Sequence, residues 1–182
     1  MRLVVVLLLA LLSGCSLSPA LTSLDGRAHW QAEGRLALKS RDGGGNLNFV
    51  WAQQGERYRL SLSGPLGVGA TELLVTPDSA QLRHPELGLV AAASPEALLA
   101  ESTGYAAPVS LLTHWIRARP AHDHARIEQD ATGRTTLIEE DGWTARYPEW
   151  QSPGSPLPRR IVITGPDTRL VVLITRWQAL RP

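Results

Sequence analysis

A single Cys in 182 residues excludes an intrachain disulfide and a thiolate zinc cluster, so core packing must hold the fold together. Charge is also scarce. Only 19% of residues are charged and the formal net charge is +1, which leaves no electrostatic footprint for nucleic acid. With 43% hydrophobic residues the chain is equally unlike a disordered one. The apolar run from Leu3 to Leu12 is too short to span a bilayer. No Gly-x-x-x-x-Gly-Lys-[Ser/Thr] phosphate loop, Gly-x-Ser-x-Gly elbow or His-Glu-x-x-His motif occurs, and each of these is what a common class of enzyme chemistry requires. Internal repeats and low-complexity tracts are missing too. What remains is one ordinary globular domain, or two small ones.

The N-terminus reads as an address. Met1 and Arg2 precede the apolar run, and Leu12-Ser13-Gly14-Cys15 follows it, with the length and order of a signal peptide. The lone Cys directly after two small residues resembles the bacterial lipobox, in which the thiol is diacylglycerated before cleavage. An ordinary secretory peptide or a buried N-terminal helix would not require a Cys at that place. Residues 1–14 are therefore expected to leave as a signal peptide, with Cys15 as the lipidated first residue of the mature chain. Ser16, where an Asp would favour inner-membrane retention, points to the outer membrane. Loss of residues 1–14 removes only Arg2 among the charged residues, so the mature protein is formally neutral. Ser16 to Gly26 is small, polar and Pro-containing, and residues 15–28 are expected to be the lipidated N-terminus and tether.

From residue 29 to 182 alternation with a period of two dominates. Leu36 and Leu38 share one face and Arg35 and Lys39 the other. Leu47, Phe49 and Trp51 alternate next, and after the Gln53 to Glu56 turn Tyr58, Leu60 and Leu62 alternate with Arg57, Arg59 and Ser61, a hairpin with one dry face. Thr71 to Thr76 and Ala80 to His84 continue as strands around Pro77-Asp78. The period then changes. Ser94-Pro95-Glu96 combines a capping Ser, Pro at the first helical position and an acid at the positive helix end, with Gly104 as its stop. A second helix opens at Pro108 and carries Val109, Leu111, Leu112, Trp115 and Ile116. Both helices read as short and amphipathic. After Arg119-Pro120, strands are expected over Thr135 to Glu140 and Trp143 to Tyr147 around Asp141-Gly142, a pair that readily takes positive φ angles. A Pro-rich connection reaches Pro158, and the final strands are Arg160 to Thr164 and Arg169 to Trp177. The fold class is mainly β (α+β): one curved antiparallel sheet whose apolar face is covered by a short helical lid. The space between is either solid core or a hydrophobic cavity, and periodicity does not separate the two.

Ser63-Gly64-Pro65-Leu66-Gly67-Val68-Gly69 is a turn whose central side chain is Leu, where tight turns usually carry Asn, Asp or Ser. Composition favours a Leu66 tucked back into the core. An exposed Leu66 makes sense beside a membrane, where inserting it is worth roughly 1.5–3 kcal/mol.

Asn46-Leu47-Asn48-Phe49-Val50-Trp51, Glu56-Arg57-Tyr58-Arg59-Leu60, Gly64-Pro65-Leu66-Gly67 and Thr71-Glu72-Leu73 resemble, in order and spacing, the LolB family of outer-membrane lipoprotein receptors. Gly142-Trp143 to Tyr147, Leu157-Pro158, Arg169 to Trp177, and Trp115 followed by Pro120 agree with it, so the likeness runs from Trp30 to Trp177 and includes the lipobox. The resemblance implies an unclosed β-barrel with a helical lid over a hydrophobic cavity, and a LolB-like lipoprotein-binding domain over 29–182. It implies a monomeric receptor that takes client lipoproteins by their acyl chains from the periplasmic carrier LolA. The receptor then places them among the phospholipids of the outer membrane, with no cofactor and no enzymatic step. Pro65, Leu66 and Gly67 match the loop that presents an apolar residue for insertion. Phe49, Trp51, Tyr58, Leu60, Leu62, Leu112 and Trp115 are the expected cavity residues. The tether is shorter than is usual in the family.

Two rivals stand beside this reading. A metalloenzyme would use His122-Asp123-His124, with His114 as a third ligand, but a solvated loop explains these residues as well. An envelope scaffold would have a solid core and use the Leu66 loop to bind protein, and the six Trp would then be core or interface residues. Arg57, Arg59, Arg159 and Arg160 fit a solvated strand face better than an acidic partner.

Overall fold

The computed structural model describes residues 29–41, 43–92, 94–103 and 107–180. Cys15, the signal peptide, the tether and Gly104 lie outside the described residues. Eleven strands form one antiparallel sheet: β1 His29–Ser40, β2 Gly43–Gln54, β3 Arg57–Ser63, β4 Thr71–Thr76, β5 Ser79–His84, β6 Gly88–Ala92, β7 Arg126–Gln129, β8 Thr135–Glu140, β9 Trp143–Trp150, β10 Pro158–Thr164 and β11 Thr168–Ala179. Their order is β6-β5-β4-β3-β2-β1-β11-β10-β9-β8-β7. Two meanders are thus joined where the first strand meets the last, and edge strands β6 and β7 leave the sheet unclosed. Helices α1 Pro95–Thr103 and α2 Val109–Trp115 connect those two edges in sequence, which is where a lid must lie.

The alternation seen in the sequence is the alternation of burial. In β3, Tyr58, Leu60 and Leu62 are buried, while Arg57 and Arg59 are exposed. The Asp141-Gly142 turn takes φ of 50° and 79°, as a two-residue hairpin requires. In β1 the register slips between Glu33 and Gly34 against β11, and a Cβ on Gly34 would stand 1.9 Å from the Leu173 carbonyl oxygen. Only glycine permits this bulge, and such bulges bend long strands and increase their twist.

The predicted strands are present, with β9 extending to Trp150 and β11 to Ala179. Strands β6 and β7 were not expected. All four residues of β7 are exposed, and in β6 only Val90 and Ala92 pack against the core, half-buried, in a run that is apolar on both faces and so shows no polar alternation in the sequence.

Helix α1 is capped by Ser94, whose Oγ accepts the Ala97 N–H at 3.3 Å. Its apolar side is the adjacent pair Leu98 and Leu99 and not the stripe expected of an amphipathic helix. Helix α2 starts at Pro108, whose carbonyl accepts the Leu112 N–H at 2.9 Å. The two helices are tied by Glu96, whose Oε1 accepts the Ser110 N–H at 2.8 Å. Burial raises the Glu96 pKa, but donors from Ser110 and Ser94 outweigh it and hold the carboxyl below its ordinary range.

Candidate functional site: an apolar cavity and an exposed loop

Strand register decides which side chains meet beneath the lid. Phe49 and Trp51 of β2 lie opposite Leu62 and Leu60 of β3. Leu36 of β1 lies between Leu47 of β2 and Val172 of β11, and Val172 lies beside Ile161 of β10. Leu38 faces Leu170. The inner faces of five neighbouring strands thereby supply an aliphatic floor. Leu99 of α1, Ala107, Val109 and Leu112 of α2, and Ile116 close it from above, and the space left between is a cavity of about 90 Å³.

Every side chain lining this cavity is apolar, and the one N–H among them, Trp51 Nε1, donates to Gln53 Oε1 at 2.9 Å. At one end the lining Trp51 is backed by an aromatic cluster: it stacks on Trp30 and Tyr58, with centroids 6.3 and 5.0 Å away, and Trp30 meets Trp177 at 5.3 Å. At the other, Leu36, Leu38 and Leu47 are only half-buried, as is Leu112 on the lid. The interior is therefore not solid core.

Of the seven cavity residues expected from sequence, Phe49, Trp51, Leu60, Leu62 and Leu112 line it. Tyr58 and Trp115 do not. Tyr58 lies past the aromatic end, in a cleft with Val75, Pro95, Ser110 and Leu111, and burial together with nearby Glu96 pushes its phenol far above the ordinary value. Trp115 is displaced by helical spacing. Val109, Leu112 and Ile116 form the stripe that faces the cavity, whereas Leu111 and Trp115, four residues apart, point elsewhere. Trp115 is fully buried, its Nε1 donates to Glu140 Oε2 at 2.9 Å, and its carbonyl accepts the Tyr147 hydroxyl at 3.0 Å. The lining residues missed from sequence include Leu36, Leu38, Leu170 and Val172. Each lies on a period-two face, but only register brings those faces together.

Beside the half-buried end lies the loop after β3. Pro65–Gly67 form a single 3₁₀ turn closed by Gly67 N–H to the Gly64 carbonyl at 3.1 Å, and Gly64 N–H meets the Val68 carbonyl at 2.8 Å. Leu66 is at the tip, with φ 61° and ψ 18°. Its relative exposure is 102% and that of Val68 is 72%. The expectation that Leu66 tucks back is overturned: from a left-handed position between Pro65 and Gly67 its side chain stands in solvent. Leu36 and Leu47, which line the cavity, also border the outer groove edged by Pro65 and Leu66, so loop and cavity mouth occupy the same end of the sheet.

The histidines form a separate cluster. Glu140 is buried and accepts the N–H groups of Ala121 at 3.1 Å and His122 at 2.6 Å besides Trp115 Nε1. Its Oε1 is 2.7 Å from His122 Nδ1. Burial raises the Glu140 pKa, but these donors outweigh it and hold the carboxyl below its ordinary range. Asp141 meets His124 Nε2 at 3.1 Å and His122 Nδ1 at 3.5 Å. His122 and His124 thus have the carboxylate partners that the sequence did not reveal, while His114 and Asp123 stay outside the group of His122, His124 and Asp141. The two imidazoles stack at 5.2 Å with 7° between planes. With Asp141 they offer ligand atoms that lie within 4.8 Å of one another, and through Glu140 the segment after α2 is tied to the end of β8. Of the strand-face arginines, Arg59 pairs with Glu72, and Arg159 and Arg160 share Glu149.

The family model "Outer membrane lipoprotein LolB" matches residues 28–177. Proteins named outer-membrane lipoprotein LolB are similar along most of the chain. The Alkalilimnicola ehrlichii protein is 36% identical over 161 residues, which is 87% of this chain and 80% of that one. The Chromohalobacter salexigens protein is 33% identical over 189 residues, 95% and 88% of the two chains. That from Pseudomonas fluorescens Pf-5 is 36% identical over 159 residues, 86% and 76%. Among the described residues no helix is long and apolar enough to cross a membrane. With an unclosed sheet, a helical lid, an apolar cavity and an outward leucine on the page, the chain belongs to the LolB family of outer-membrane lipoproteins.

Proposed function

We propose that the protein is held at the outer membrane by lipid on Cys15, takes client lipoproteins by their acyl chains from the carrier LolA, and inserts them into the outer membrane. The observation that carries this reading is the wholly apolar cavity whose half-buried end adjoins the fully exposed Leu66. Hydrocarbon crosses water only under cover, and a covered oily space is what the lid and floor supply.

A cavity of about 90 Å³ is smaller than the about 150 Å³ of an engineered apolar cavity that accepts one benzene. Entry of an acyl chain therefore requires the lid to move. Helix α2 is clasped at its C-terminal end by Glu140 and Tyr147, whereas the link between helices rests on Glu96 and Ser110. The lid swings about the clasped end. Transfer runs downhill in affinity from carrier to receptor to bilayer without a chemical step, and Leu66 lowers the barrier to release by dipping into the lipid surface.

The test is transfer of a radiolabelled lipoprotein from LolA to the receptor and on to vesicles. Leu66→Glu is expected to leave uptake intact and to stop insertion. Insertion at the wild-type rate removes the membrane role of the loop, and failure of the wild-type protein to take up the client favours the scaffold reading.

A further inference from the structure

The outer face of the sheet beside the Leu66 loop is unlike the inner one. Arg35 of β1 lies opposite Leu173 of β11, which lies opposite Arg160 of β10. Four residues along, Lys39 of β1 lies opposite Arg169 of β11. Neighbouring strands are about 4.8 Å apart and each residue advances about 3.4 Å. The four cations therefore frame a patch about 10 Å wide and 13 Å long, whose middle is Ala37 and Val171, a further opposed pair.

Like charges directly opposite each other are unfavourable in a sheet, so the Lys39–Arg169 pair has no structural rationale. Among the described residues Arg35, Lys39 and Arg169 have no acidic partner. Glu149 contacts Arg160 only at 3.4 Å and is shared with Arg159, and Arg160 Nε is buried without a hydrogen-bond acceptor. The nearest acid at the other end, Asp167, is engaged by Arg41 at 2.8 Å. Arg35, Arg160, Pro65 and Leu66 border one groove, and Asn48, opposite Arg35, donates to the Gly64 carbonyl at 3.4 Å. The loop is thereby attached to the cationic patch.

We propose that this patch is a headgroup platform: Arg35, Lys39, Arg160 and Arg169 bind the phosphates of anionic bilayer lipids while Leu66 enters the acyl layer beside them. The chemistry matches at both depths. Guanidinium groups pair with phosphate oxygens in bidentate fashion, and long cationic side chains with apolar stems suit the interface between headgroup and hydrocarbon. Two contact depths fix a tilt that one leucine cannot, and the tilt brings the cavity mouth to the membrane. The proposal rests on the membrane role of the loop and adds its ligand and orientation.

The experiment uses the full lipid-anchored chain reconstituted in vesicles of phosphatidylcholine alone or mixed with phosphatidylglycerol. Phenylglyoxal labelling of Arg35, Arg160 and Arg169 is read by mass spectrometry. In the anionic vesicles each arginine is expected to label about fivefold more slowly, the factor for one cation at a negatively charged lipid surface, and high salt is expected to abolish the difference. Arg83, on β5, is the control that does not change. Equal labelling in both vesicles overturns the platform, and so does equal protection by inorganic phosphate with phosphatidylcholine alone, which would mark a free-anion site. Protection that appears only when LolA is added, whatever the lipid, also overturns it and assigns the patch to a protein. Leu66→Glu separates the two readings. Arginine protection with normal client insertion in that variant sinks the loop and spares the platform, whereas blocked insertion with no protection in the wild-type protein sinks the platform and spares the loop.

Discussion

Leu66 holds its side chain in water and its backbone at φ 61°, a conformation that costs an ordinary L-residue about 1–2 kcal/mol. Neither feature helps the fold, so stability and function should separate at this position. Leu66→Asn, which tolerates the left-handed region, is expected to raise stability by about 0.5–1 kcal/mol in urea unfolding while client insertion falls. A variant that is both less stable and fully active contradicts that division. Glu140 is the converse case, a buried carboxylate on which the Trp115 indole and two backbone N–H groups depend. Glu140→Ala leaves those donors unpaired and is expected to cost about 3 kcal/mol. The folded pKa is depressed, so the stability contributed is complete above the ordinary carboxylate value of about 4.3 and is lost as pH falls through the lower folded value. Urea midpoints measured on acidification should fall in the wild-type protein and fall less in Glu140→Gln. The sequence showed His122 and His124 but not this carboxylate, because Glu140 ends a strand whose alternation says nothing about a loop docking on it.

At the scale of elements, the sequence was most legible where one face is wet and the other dry. The alternation in β3 and the caps at Ser94 and Pro108 located real elements, and Asp141-Gly142 located a real turn. Legibility failed where burial is uniform or missing. Edge strand β7 is exposed throughout and β6 buries no residue fully, and the lid stripe was read one position too wide, which put Trp115 in the cavity. The corrected stripe gives a sharper test. Leu112 is half-buried on the lid and faces the cavity, so Leu112→Trp fills space that is empty in the closed state. Cavity filling commonly adds about 0.5–2 kcal/mol. Thermal unfolding is expected to rise accordingly, while displacement of a fluorescent fatty acid shows weakened binding. Unchanged fatty-acid affinity in this variant places the hydrocarbon elsewhere.

For the whole molecule, the decisive property is that β6 and β7 do not close the barrel. A closed barrel has a fixed bore, whereas this sheet leaves a gap that two short helices span, so the lid swing proposed above would open the cavity without breaking the strand ladder. Loop, cavity mouth and cationic patch share one end, so in the proposed function the domain would need only to be kept near a bilayer for all three to act together. Lipid on Cys15 would do that: each buried methylene contributes about 0.8 kcal/mol, and two or more acyl chains give stable anchoring. The loop alone, at roughly 1.5–3 kcal/mol for one leucine, can guide a transfer but cannot hold a protein at a membrane. Anchoring and insertion are therefore separable. A version of the mature chain exported with Cys15→Ala is expected in the soluble periplasmic fraction, still able to accept a client from LolA and slower to deliver it to vesicles. Firm retention of that variant in the membrane fraction would show that the domain surface itself supplies the anchor.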